Sequence, residues 1–142
     1  MRLHITGLAV TLLGMPMLAT ADDFDGSKPL LCASVDVIEC APGDGCQRVS
    51  AAAIDAPEFF RLDVGKKQIV SSRGAADPRT STIERSEMVE GKLMLQGAED
   101  GLEGVRDGLG WTIAISLETG QAVLTGSGDG FGLVIFGACL PL

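Results

Sequence analysis

Beyond residue 30 the chain holds no sustained helical period; strand-length runs with apolar–polar alternation follow one another between glycine-containing turns. Leu31, Ala33, Val35 and Val37 alternate with Cys32, Ser34, Asp36 and Ile38. Residues 59–64 and 67–71 flank Gly65-Lys66, and residues 81–89 and 92–97 flank Glu90-Gly91, two hairpin layouts. Trp111, Ile113, Ile115 and Leu117 fall on one face of a further strand, with Thr112, Ala114 and Ser116 on the other. Residues 118–121 turn the chain into 122–125, and Gly126-Ser127-Gly128-Asp129-Gly130 turns it again into 131–139. The 19 glycines have no fixed period and sit where turns are wanted. Ser50 caps at most one short helical turn, which Pro57 closes.

About eight or nine strands linked in sequence by tight turns predict an all-β fold, a small antiparallel up-and-down barrel or a sandwich. The last strand is apolar on both faces, Phe131, Leu133 and Ile135 against Val134, Phe136 and Leu140, so it is expected to be flanked on both sides. A closed barrel hides both edge strands and is preferred over the open sandwich.

Four cysteines, Cys32, Cys40, Cys46 and Cys139, suit two disulfides in a small exported domain. An extended strand over residues 30–39 would separate Cys32 from Cys40 by about 26 Å at ~3.3 Å per residue, too far to bridge. Pro42, Gly43 and Gly45 make a reversing loop between Cys40 and Cys46. The favoured pairing is therefore Cys40–Cys46 with Cys32–Cys139, ahead of Cys32–Cys46 with Cys40–Cys139. A Cys-x-x-Cys spacing is absent, which speaks against a zinc or redox site.

The first 21 residues read as a cleavable signal peptide: Arg2, an apolar run over residues 5–18, and the small-x-small pattern Ala19-Thr20-Ala21. Cleavage between Ala21 and Asp22 leaves a single domain, 22–142, in the periplasm or outside the cell, with residues 22–29 frayed. Pro29-Leu30-Leu31 ahead of Cys32 is too bulky for a lipid-anchored export signal. No later apolar run is long enough to span a bilayer. The leader carries one base and no acid, so the mature chain sets 10 basic against 19 acidic residues. Such a balance repels nucleic acid; it keeps a small exported protein soluble or suits a cationic protein, and a small ligand stays open as the other partner.

Chemistry is mostly excluded. His4, the sole histidine, leaves with the leader, and tyrosine is absent. Histidine-based nucleophilic catalysis is thereby impossible, and no catalytic, cofactor or metal-binding residue is assigned. The segment Gly126–Gly132 lacks the lysine and helix of a phosphate loop. Asp36 needs a partner such as Arg61 or Arg85 if its face turns inward, and none if it meets solvent. The acids Glu99, Asp100, Glu103 and Asp107 with Gly101, Gly104 and Gly108 form a loop in which calcium is conceivable, although a solvated loop is the simpler reading. Trp111 is expected as a core anchor.

The layout resembles small up-and-down barrels such as lipocalins and avidins, which implies a ligand held inside the barrel. It departs from lipocalins in that Gly110-Trp111 lies late and without an intervening residue. Size, acidity and export also resemble the periplasmic lysozyme inhibitors, but Ser127-Gly128 is followed by Asp129-Gly130-Phe131 rather than their loop pattern. The expectation is a non-catalytic binding module, with an inhibitor of a cationic hydrolase or a carboxylate-based hydrolase as alternatives.

Overall fold

The computed structural model describes residues 21–73, 77–101, 104 and 108–142. Apart from Ala21, the expected leader lies outside them. Nine strands follow in order: β1 (Leu30–Ala41), β2 (Gly45–Val49), β3 (Phe59–Asp63), β4 (Gln68–Arg73), β5 (Asp77–Val89), β6 (Lys92–Glu99), β7 (Leu109–Ser116), β8 (Gln121–Gly128) and β9 (Phe131–Pro141). All pair antiparallel with their sequence neighbours from β3 onward, and β1 pairs with both β3 and β9. The result is a closed eight-stranded barrel, with β2 as a ninth strand on the far half of β1. Closure satisfies the backbone donors and acceptors that an open sandwich would leave at two edges.

The disulfides reinforce this layout at two cross-strand pairs. Cys32 faces Cys139 across β1 and β9, and Cys40 faces Cys46 across the β1–β2 hairpin; the bonds are Cys32–Cys139 and Cys40–Cys46.

Four expectations need correction. First, the even alternation of β1 is broken by a bulge between Ser34 and Asp36, which makes Val35 an extra residue opposite β9. Leu30 and Cys32 therefore point inward before it and Val37 after it, while Leu31 and Val35 face out. Gly137 lies opposite the bulge, where a Cβ would sit 2.3 Å from the Ala33 carbonyl oxygen.

Second, Gly126-Ser127-Gly128 is strand, and the chain reverses at Asp129-Gly130 alone. Third, β9 is flanked edge to edge by β1 and β8, but its outer face is uncovered: Phe136 and Leu140 are exposed.

Fourth, two 3-10 turns occur among the described residues instead of at most one. Ala51–Ile54 is the expected turn, with the Ser50 hydroxyl accepting from the Ala53 N–H at 3.2 Å. Ala21–Phe24 is the other, and it includes both residues of the expected cleavage point. The segment is not frayed, because Phe24 is buried against Gly120 at one end of the barrel.

The core occupies this end. Leu30, Leu62, Leu95, Ile113 and Ile115 have no exposed surface, and Phe24 closes the floor beneath them. Apolar burial of this kind is the main favourable term in folding.

Candidate functional site

The opposite end is built differently. Inward positions become polar as the strands approach it: Ile83 gives way to Ser81 and Arg79 on β5, Leu95 to Gly97 and Glu99 on β6, and Ile69 to Ser71 on β4. Below these groups lies a cavity of about 120 Å³ walled by Phe60, Ile69, Trp111, Leu124, Leu133 and Ile135.

The segment between β2 and β3 roofs the cavity with Ile54, Asp55, Ala56 and Pro57. It is tied down from β1: the Ser34 hydroxyl donates to the Pro57 carbonyl at 2.8 Å, and the Ser34 N–H to the Glu58 carbonyl at 2.9 Å. Beside the roof the cavity meets a vestibule of about 310 Å³ bordered by Glu39, Ala53 and Phe131, with Ile54, Asp55, Arg79, Glu99, Leu109 and Leu133 common to both.

Three hydrogen bonds tie polar groups at the rim. Arg79 Nη1 donates to Glu99 Oε1 at 2.9 Å, and both side chains are about three-quarters covered. Largely covered charge of this kind is retained only when paired and hydrogen-bonded. Trp111 Nε1 donates to the Ser81 hydroxyl at 3.0 Å, and that hydroxyl donates to the Ala98 carbonyl at 3.1 Å. Trp111 is thus a core residue that also forms cavity wall, its indole fixed by one hydrogen bond.

The residues singled out in the sequence are distributed otherwise. Asp36 shares the outer face with Phe136 and pairs with Arg48 at 2.8 Å. Neither expected partner is near: Arg61 lies 3.8 Å from Asp63, and Arg85 Nε donates to Glu87 at 3.1 Å. In the acidic loop 99–108, residues 102–103 and 105–107 fall outside the described residues, and no metal-holding group of acids occurs among the described ones. The expected strand 81–89 stops short of Arg79, and Glu99 falls in the expected acidic loop, whereas β5 starts at Asp77 and β6 runs to Glu99. All three are inward positions at period two, Ser81 and Arg79 from Ile83 and Glu99 from Leu95.

Among the described residues no helix is long and apolar enough to cross a membrane. Compared with protein families, curated proteins and solved structures, the chain matches none.

Proposed function

We propose that this protein is a non-catalytic binding module of an exported compartment, which takes a small apolar group into the open end of its barrel. The observation that carries the reading is the asymmetry of the interior, with a solid aliphatic floor and an apolar cavity at the mouth. An apolar cavity of about 150 Å³ is enough to bind benzene, so a ring-sized or branched alkyl group is the right scale. Two disulfides support an oxidising location, periplasmic or extracellular. The absence of histidine from residues 22–142 argues against the hydrolase alternative.

Trp111, the sole tryptophan, reports on the cavity directly. Titration with toluene should change its fluorescence saturably, and Leu124→Phe, which fills the cavity, should remove the response while leaving cooperative melting intact. No saturable change in the native protein, or an undiminished one in Leu124→Phe, would remove the proposal.

A further inference from the structure

We infer that the outer face of the barrel centred on β1 and β9 docks a second copy of this chain, face to face about a two-fold axis. The inference is independent of the cavity at the mouth.

The consecutive strands β7, β8 and β9 hold no charged residue, whereas each of the other six holds at least one. Glu118 and Asp129 stand in the turns between them, so the outer surface of these three strands is neutral along its length. Apolar side chains gather where this surface meets β1 and β3. Of the nine large apolar residues exposed among the described ones, six lie there: Leu31, Val35, Phe59, Val123, Phe136 and Leu140, with Val35 75 % and Leu140 67 % exposed. The register makes them neighbours. Phe136 pairs with Val123 on one side and with Asp36, next to the bulged Val35, on the other; Leu140 pairs with Leu31, and Phe59 with Ala33. Contiguous apolar surface of this kind on an acidic chain marks an interface.

The shape of the face suits a copy of itself. Ala33 and Ala138 pair at its centre, and their small side chains leave a dip. Phe136 and Val35 stand as a ridge on one side of it, Leu31 and Leu140 on the other. A face that carries both ridge and dip can receive its own ridge after a two-fold rotation, the symmetry of most homodimers.

Charge selects the same occupant. At net −8 and pH 7, two copies repel in most approaches, but across this face they meet without setting acid against acid. A cationic partner finds little to pair with, because Asp36 at the border is already bound by Arg48. That pair and Arg61 with Asp63 supply a polar rim around the apolar centre. Eight residues of strand, across four strands about 4.8 Å apart, measure roughly 26 by 19 Å, so two such faces hide on the order of 1,000 Å². Specific interfaces begin at about this size, which predicts a reversible dimer rather than an obligate one.

Sedimentation equilibrium of the disulfide-intact chain tests the inference. A monomer–dimer equilibrium is expected, with a midpoint on the order of 1–100 µM for so small an interface. Phe136→Glu and Ala138→Glu, both at exposed positions, should each weaken dimerisation at least about tenfold by setting like charges together. Thr80→Glu, exposed on β5 across the barrel, should leave it unchanged; melting curves check that all three fold. In the unaltered protein, dilution should move the methyl resonances of Val35, Val123 and Leu140 and leave that of Thr80 still. A monomer at every concentration would overturn the inference, as would a dimer that both face substitutions leave intact or that Thr80→Glu weakens equally. Monomers that instead bind phosphatidylethanolamine–phosphatidylglycerol vesicles through Phe136 would also overturn it, and assign the face to a lipid surface.

Discussion

The indole of Trp111 lies against Gly97, its cross-strand partner: a Cβ on that glycine would fall 2.3 Å from the ring atom Cζ2 and 2.4 Å from the Thr82 carbonyl oxygen. Neither neighbour is the free end of a flexible side chain, so the glycine sets where the cavity wall stands. Gly97→Ala should therefore destabilise the barrel by about 1–3 kcal/mol, the usual cost of overpacking. Denaturant unfolding gives the number, and Trp111 emission should shift with it. A variant as stable as the native protein with unchanged emission would contradict this geometry.

Phe24 seals the end away from the mouth. Its ring fills the space that a Cβ on Gly120 would enter, 2.5 Å from Cε1, and Gly120 holds a φ of 69° that favours glycine. Phe24→Ala should cost about 3–5 kcal/mol, the range for a buried phenylalanine. Toluene titration of the variant at a temperature where it stays folded should still report the cavity, because floor and mouth are separate.

The two disulfides should differ in worth. Cys32–Cys139 joins residues separated by 107 positions, and Cys40–Cys46 by 6. The chain-entropy model assigns about 4.7 kcal/mol to a loop of about 100 residues and about 2 kcal/mol to the short one. Cys32→Ala/Cys139→Ala should thus lower the denaturant midpoint clearly more than Cys40→Ala/Cys46→Ala. The reverse order would mean that the β1–β9 ladder alone keeps the barrel shut.

Asp25 follows the turn that carries Phe24. Its carboxyl is held below the ordinary value of 3.8, first by the Ser27 hydroxyl and then by the Ser27 N–H, which donates to Oδ1 at 2.7 Å. A depressed folded value stabilises the fold at pH above the ordinary one, and the contribution disappears as pH falls through the folded value. A carboxyl NMR titration should place the midpoint below 3.8, and Ser27→Ala should raise it.

Much of the fold was legible in residues 59–140, where alternation has a clean period of two and turns carry glycine. Glu90-Gly91 is the clearest case: both residues have positive φ, 44° and 77°, as a two-residue hairpin turn requires. The bulge at Val35 was not legible, because valine continues the alternation of residue types while the backbone breaks it. A second irregularity between Ile83 and Arg85 is equally silent in the sequence. The mouth escaped for a related reason. Ser71, Ser81, Arg79 and Glu99 look like solvent-facing residues until the barrel closes and turns their side inward. Phe24 was missed because a single aromatic within a polar stretch carries no periodicity.

The central claim is that one end of the barrel binds and the other does not. Methyl NMR during a toluene titration tests it most directly. Ile69, Leu124, Leu133 and Ile135, which line the cavity, should shift together and saturate, while Leu30, Leu62 and Ile115 at the floor stay still. Shifts that never saturate, or that reach the floor methyls as strongly as those of the mouth, would contradict the account.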